Sequence, residues 1–186
     1  MAEFFDHIPE KLAGFIAAQP IFFTATATAE SRINLSPKGM DCFRILDPKT
    51  VAYLDVTGSG NETHAHLIAD GRITIMFNSF DRAAMILRIY GRGVPVLPGD
   101  PEWPALVSHF NLLPGTRQIF RIAVESVQTS CGYAVPLMTL EKERDTLKQW
   151  NARLSAEEQA EYRQRKNATS IDGLPARLPP VGAIPG

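Results

Sequence analysis

The chain has 186 residues and carries 19 Lys and Arg residues against 20 Asp and Glu residues, which gives a formal net charge of -1. This length suits one domain with a hydrophobic core of its own. Because the charges nearly balance, the chain as a whole has no electrostatic attraction for nucleic acid or an anionic membrane surface. We therefore expect its partners to be small molecules or a second copy of the chain.

The cysteines and the N-terminus indicate the cellular compartment. Cys42 and Cys131 are the only thiols and do not form a C-x-x-C pair, so we expect neither a disulfide framework nor a zinc-ribbon site. Residues 1–12 carry acidic groups where a signal peptide carries positive charge, and no apolar run approaches the length that spans a bilayer. These features predict a cytoplasmic protein that does not bind membranes.

The first predicted element is a short amphipathic helix before Pro20, which we expect to cover one end of a sheet. Six segments rich in β-branched and aromatic residues follow, separated by Gly, Pro, Asp and Asn. These predicted strands are residues 21–28, 32–36, 50–56, 72–78, 85–96 and 117–130. Two short helices, at residues 61–70 and 100–110, interrupt them. Six strands with short links predict an antiparallel β-barrel.

The composition changes at Thr139, where the chain becomes charged and its pattern helical. We expect a barrel domain over residues 1–138 and a helical extension with a Pro-rich tail over residues 139–186. The first helix of the extension is predicted to carry one apolar stripe, formed by Leu140, Leu147, Trp150 and Leu154. Ser155 and Glu158 have the spacing of a capping box that starts a second helix. The tail that follows is expected to be extended or disordered.

Three polar residues follow one another at alternate positions of the second predicted strand. In a strand, Asn34 and Ser36 point to the same face, and Lys38, just past Pro37, can turn toward that side. A phosphate is bound by N–H and O–H donors together with a compact positive charge, and this set supplies them. The alternative is an exposed strand end with a solvated lysine.

A second polar group lies in the sequence TGSGNET, which follows the third predicted strand and opens a helix. Thr57, Gly58, Asn61 and Thr63 would place hydroxyl, amide and backbone N–H groups at a helix N-terminus, which is a favourable place for an anion. The pattern is neither a Walker P-loop nor G-x-G-x-x-G. The alternative is a flexible turn with Asn61 as helix cap, which uses the same residue types.

Metal binding and acid–base catalysis are not indicated. His64 and His66 are two residues apart on a predicted helix, so their side chains face different directions and form a poor metal pair. We expect both to be surface or cap residues. We assign no catalytic residue and no metal ligand.

The order of these segments resembles the pyridoxamine 5′-phosphate oxidase-related FMN-binding split-barrel family, over roughly residues 20–136. The resemblance implies a mainly β fold with flanking helices, a six-stranded antiparallel split β-barrel. It also implies a homodimer in which each FMN lies at the interface of two barrels. The flavin would then exchange electrons with a small-molecule substrate or electron donor.

Two positions are interpreted only through this resemblance. Relatives carry a basic phosphate-binding pair where this chain has Glu62 and Thr63, so Glu62 would either repel the phosphate or face solvent. The strand that contains Arg88 faces the flavin ring in the family, where a cation can stabilise charge on the reduced ring. A surface arginine is the alternative for Arg88.

The resemblance leaves the activity open. An FMN-dependent oxidoreductase is the first interpretation. The alternative is a split barrel that binds FMN, haem or another flat ligand for storage or sensing, without catalysis.

Overall fold

The computed structural model describes residues 2–183 of the chain, which contain eight strands and five helices. The strands are β1 (Glu3–Phe5), β2 (Phe22–Thr26), β3 (Asn34–Lys38), β4 (Phe43–Asp47), β5 (Thr50–Val56), β6 (Arg72–Asn78), β7 (Met85–Val96) and β8 (Thr116–Cys131). The helices are α1 (Glu10–Ala17), α2 (Glu62–Ala69), α3 (Trp103–Val107), α4 (Thr146–Ala152) and α5 (Ala156–Lys166).

The strands form one antiparallel sheet in the order β3-β2-β6-β7-β8-β5-β4. The 16-residue strand β8 pairs with β7 on one side, and on its other side it pairs first with β5 and then with β1. Strands β3 and β4 are the ends of this order, and no described pairing joins them. The architecture is that of a split barrel with flanking helices, and the split lies between the two end strands.

All six predicted strands are present, but the predicted number was wrong because the sheet has eight. Strand β1 has only three residues, which is too short to show an alternating pattern. Strand β4, FRILD, is short and is joined to β5 by a tight turn. Its pattern is mixed because it is an end strand, with every residue except the last partly buried.

The core lies inside the curved sheet. Strand β2 alternates buried and partly buried residues, as a half-buried strand does. Aromatic rings from five strands pack edge to face or tilted at its centre, with Phe22 5.1 Å from Phe43 and 5.6 Å from Tyr53 between ring centroids. Helix α1 buries Leu12 and Ile16 against this core, as predicted, and each such side chain contributes about 1.5–3 kcal/mol.

The extension after residue 138 differs from the prediction at its start. Residues 139–145 form no helix, and Leu140 of the predicted stripe is 58% exposed. Most helical stability comes from packing an apolar face, and this charged segment has only Leu140 to bury. The capping box is confirmed: Ser155 Oγ accepts from the Glu158 N–H at 3.2 Å, and Glu158 Oε2 accepts from the Ser155 N–H at 2.8 Å.

The tail after α5 was predicted to be extended or disordered. It is ordered against the barrel as far as residue 183, and Asn167 and Ser170 are buried. The part of that prediction that concerns residues 184–186 lies outside the described residues. Within residues 2–183, no helix is long and apolar enough to cross a membrane.

Candidate functional site

A cavity of about 370 Å³ opens at the split of the barrel, between β3, the end of β5 and the start of α2. Six of the eight residues that the sequence indicated line it: Asn34, Ser36, Lys38, Gly58, Asn61 and Thr63. The wall is completed by residues 54–56 of β5, by Arg117 and Phe120 of β8, and by Leu147 of α4. The two polar segments that the sequence indicated therefore meet in one place.

One hydrogen bond joins β3 directly to α2, and a second one orders the side chains within β3. Asn34 Nδ2 donates to Thr63 Oγ1 at 3.1 Å, and Ser36 Oγ donates to Asn34 Oδ1 at 3.2 Å. Asn34, Ser36 and Lys38 lie at alternate positions of an end strand, so they share one face and that face borders the split. The predicted orientation of these three residues is consistent with the cavity that they line.

The N-terminus of α2 has no side-chain cap at Asn61. Asn61 occupies the N-cap position, as predicted, but its side chain makes no capping hydrogen bond. Its Oδ1 instead accepts from Gln118 Nε2 at 2.9 Å, and its Nδ2 donates to the Asn167 carbonyl at 3.3 Å. The first-turn N–H groups of α2, which have no partner inside the helix, border the cavity, and such groups favour an anion.

A buried ion pair forms the floor of the cavity. Arg117 Nε donates to Asp55 Oδ2 at 2.7 Å, and both side chains are about 5% exposed. Lys38 Nζ lies 3.7 Å from Asp55 Oδ1. Burial by itself would raise the pKa of Asp55, but the charges of Arg117 and Lys38 and the hydrogen bonds to the carboxylate outweigh it and lower the pKa. Asp55 is therefore ionised at neutral pH.

Neither Asp55 nor Arg117 was predicted as a site residue. The signal that could have found them is a charge inside an otherwise apolar strand, as in VAYLDV and RQIF. A fully buried charge is rare unless it is paired, so two such strands suggest a pair.

A hydrogen-bonded chain leads from this ion pair to the tail. Gln118 Nε2 donates to Asp55 Oδ2 at 2.7 Å, and Gln118 Oε1 lies 2.5 Å from His64 Nδ1. On its other side, His64 Nε2 accepts from the Arg177 N–H at 2.9 Å. Because Nε2 is an acceptor, His64 is neutral with its proton on Nδ1, which donates to Gln118.

The prediction that His64 and His66 are surface or cap residues was wrong. They are 0% and 1% exposed, because α2 packs against β2, β6 and β7 and buries its residues 63–67. His66 Nδ1 lies 3.1 Å from Thr26 Oγ1. Within residues 2–183, no group of three His, Cys, Asp or Glu residues is placed to hold a metal ion.

We expect acid to destabilise the fold through His64. Burial lowers the pKa of His64 below its ordinary value of 6.5. The hydrogen bond to Gln118 opposes this shift, and the nearby charge of Arg117 adds to it. The stabilising contribution of neutral His64 is complete above about pH 6.5. It falls as the pH drops below 6.5, because the unfolded chain takes up a proton that the folded chain does not.

The measurement is urea unfolding of wild type and His64→Gln at pH 7.5 and pH 5.5. The wild type should lose more stability between these pH values than His64→Gln does, whereas His109→Gln, at an exposed histidine, should behave as wild type. An equal loss in wild type and His64→Gln would contradict the assignment of a neutral His64.

The extension holds the turn that follows β5. Asn167 is fully buried; its Nδ2 donates to the Gly58 carbonyl at 3.0 Å, and its Oδ1 accepts from Arg117 Nη1 at 2.8 Å. Arg163 Nε donates to Thr57 Oγ1 at 2.8 Å, and burial lowers the pKa of Arg163 to about 10, so it stays cationic. Neither Asn167 nor Arg163 was predicted as a site residue, because their partners lie far away in the chain.

Thr57 and Arg88 do not line the cavity. Thr57 is fully buried and donates from Oγ1 to the Gly115 carbonyl at 2.9 Å, so it holds the turn in place from behind. Arg88 lies on β7, partly buried, with its Nη1 donating to Ser130 Oγ at 3.2 Å. Glu62 lines the cavity, and its two carboxylate oxygens accept from the Ile171 N–H at 3.1 and 3.2 Å.

Known proteins resemble this chain in sequence and in fold. The family model described as Pyridoxamine 5′-phosphate oxidase matches residues 8–131. Pyridoxamine 5′-phosphate oxidase family protein ustO from Aspergillus flavus is 35% identical over 193 aligned residues, which cover 94% of this chain and 78% of that protein.

Two solved structures have a similar fold. A variant of HupZ from Group A Streptococcus gives a TM-score of 0.53 at 24% identity and covers 66% of this chain and 99% of its own. A Lactobacillus delbrueckii protein, described as a candidate pyridoxamine 5′-phosphate oxidase, gives a TM-score of 0.54 at 13% identity and covers 66% of this chain and 94% of its own. At these identities the likeness concerns the fold alone.

Proposed function

This chain belongs to the pyridoxamine 5′-phosphate oxidase family, and on that premise we propose that it is a flavoprotein that binds FMN with its phosphate in the cavity at the split of the barrel. The observation that carries the proposal is the meeting of β3 with the uncapped N-terminus of α2. When bound, FMN would supply hydride or electron transfer, for which protein side chains have no equivalent.

The donors at this cavity suit a phosphate. The Ser36 hydroxyl, the Lys38 ammonium group and the first-turn N–H groups of α2 all border it. Asn34, Gly58, Asn61 and Thr63 complete the proposed phosphate site by shaping the walls or offering further polar atoms. A carboxylate beside a phosphate would oppose binding, but Glu62 already accepts a hydrogen bond from the tail backbone. This hydrogen bond holds the carboxylate against the tail, at the edge of the cavity.

Two predicted residues have other roles in the proposal. Thr57 supports the Gly58 turn through its bond to the Gly115 carbonyl instead of contacting the phosphate. Arg88 lies outside this cavity. It can lie beside the flavin ring, as predicted, only if the ring extends beyond the cavity walls of one chain.

We propose a homodimer because the flavin ring would extend beyond the cavity walls of one chain. Strand β3 is an end strand that borders the cavity, and no described strand pairs with its outer edge. A second copy placed beside the split would complete the walls around a ring that one chain leaves open. Sedimentation equilibrium of the purified protein tests this directly, since a monomer at all concentrations would exclude an interface site.

The proposed activity is an oxidoreductase reaction with a small-molecule substrate or electron donor, in a reducing cytoplasm that suits the free thiols Cys42 and Cys131. Absorbance separates the possible ligands. Flavin bands in the reconstituted protein support FMN, whereas a Soret band after incubation with haem would support the alternative of a haem-binding barrel. Oxidation of a reduced nicotinamide by the FMN-loaded protein tests catalysis.

We expect Lys38→Ala to weaken FMN binding by about tenfold or more. A charge-assisted hydrogen bond contributes about 1.5–3 kcal/mol, and each 1.4 kcal/mol is a tenfold change in the dissociation constant. Asp55 keeps Arg117 as its partner in this variant, so the fold should be retained. Quenching of FMN fluorescence measures the effect.

Lys49→Ala is the matched control for Lys38→Ala. Lys49 lies in the turn between β4 and β5, its side chain is 64% exposed, and it does not line the cavity. It should bind FMN as wild type does. If Lys38→Ala and wild type titrate alike, the phosphate does not lie in this cavity.

A further inference from the structure

A second cavity of about 620 Å³ adjoins the first one. Its walls come from the start of β3, from α2 and from tail residues 166–171. The two cavities share Asn34, Ser59, Gly60 and Glu62, so a ligand in one would lie next to a ligand in the other. The tail that forms one wall lies outside the segment matched by the family model.

The surface of this second cavity is apolar at one side. Ile33, Leu35 and Ile171 line it, and they are 78%, 65% and 71% exposed. Large aliphatic side chains that are this exposed and this close together form an apolar patch, which commonly marks a binding surface. The patch suits the body of an aromatic or aliphatic molecule.

Two cations, Arg32 and Lys166, line this cavity, and only one of them is already paired with a described residue. Arg32 is paired with Asp172, which accepts from both its guanidinium group and its backbone N–H. The Glu62 carboxylate accepts from the Ile171 N–H. Lys166, at the end of α5, forms no ion pair with any residue in the described range. Lys166 is therefore the cation that remains available to a ligand.

A buried imidazole supplies a second polar feature. His66 lines the cavity and is 1% exposed, and its Nε2 has no hydrogen-bond partner among residues 2–183. A buried polar atom without a partner is costly, at about 1–3 kcal/mol. A polar group brought into the cavity would reduce this cost.

We propose that this second cavity binds the small-molecule substrate, and that the substrate is an organic acid whose carboxylate pairs with Lys166 and whose apolar body packs on Ile33, Leu35 and Ile171. The inference rests on the proposed flavin function, because it places the substrate beside the cofactor cavity. The tail thereby supplies specificity, and Lys166 selects an anion over a neutral molecule of the same shape.

The test uses the full-length protein and two probes of one shape, the anion 2-naphthoate and the neutral 2-naphthamide, each titrated by calorimetry with and without FMN. Wild type should bind 2-naphthoate about fivefold more tightly than 2-naphthamide, the preference that a partly exposed ion pair provides. Lys166→Gln should abolish this preference and leave FMN affinity unchanged within about twofold. Arg165→Gln removes a neighbouring charge that does not line the cavity, and it should keep the preference.

A second variant tests the apolar side. Ile171→Ser should weaken both probes to a similar degree and leave the preference for the anion intact. Failure of wild type to bind 2-naphthoate, or a preference that survives in Lys166→Gln, would overturn the proposal while leaving FMN binding untouched. Absence of FMN binding would instead overturn the proposed function, and the titrations without FMN would still decide whether the second cavity binds the acid.

Discussion

Arg117→Met is expected to lower the free energy of unfolding by about 3–5 kcal/mol, which is typical of removing one partner from a buried ion pair. Asp55 would remain ionised and buried, with only Lys38 at 3.7 Å as a distant counter-charge. The Asn167 amide oxygen would also lose its donor. The midpoint temperature of thermal unfolding should fall by on the order of 10 °C.

A double-mutant cycle separates the charge from the packing. Asp55→Asn removes the carboxylate but keeps an oxygen that can accept from Gln118, whose Nε2 lies 2.7 Å from the present acceptor. Because the double variant contains no uncompensated charge, it should be more stable than the sum of the two single losses implies. Strictly additive losses, measured by urea unfolding, would mean that the two residues do not act as a pair.

Asn167→Ala should have the second largest effect, a loss of about 2–4 kcal/mol together with weaker FMN binding. Its side chain is the donor to the Gly58 carbonyl and the acceptor for Arg117 Nη1, so truncation leaves the buried Arg117 Nη1 and the partly buried Gly58 carbonyl without this partner. The turn at Gly58 would lose its support from the tail. Because this turn borders the proposed phosphate site, FMN affinity should fall several-fold.

Gln164→Ala provides the control for Asn167→Ala, since Gln164 is an exposed residue of α5 outside both cavities. It should leave stability and FMN binding near wild type. The informative measurement is FMN affinity well below the unfolding temperature. If Asn167→Ala loses stability but binds FMN with wild-type affinity, the tail supports the fold and does not position the site.

Much of this protein can be predicted from local sequence pattern. Six of the eight strands, α1 and the capping box of α5 depend on periodicity and on residues three or four apart, and all of them are confirmed. The polar residues of β3 and of the start of α2 were each predicted to suit a phosphate, and the fold brings them to one cavity. The end strand β4 and the three-residue β1 left too little pattern to detect.

The packing of the tail was missed for a related physical reason. Its four prolines and weak periodicity predicted an extended or disordered segment. Residues 167–183 form no helix or regular strand, but polar contacts hold them against the barrel. Asn167 donates to Gly58 across 109 positions of sequence, and the Arg177 N–H donates to His64 across 113. Patterns within a short stretch of sequence cannot predict hydrogen bonds between residues that are this far apart in the chain.

The amino-acid sequence by itself thus determined six of the eight strands and the polar residues of β3 and of the start of α2, because those properties follow from alternation and composition within short segments. Only the tertiary structure decided which charges are buried. Asp55 and Arg117 lie 62 positions apart, and each charge can be buried only because the other one pairs with it. It also decided that His64 is neutral, because its protonation state depends on partners that the fold brings from β8 and from the tail.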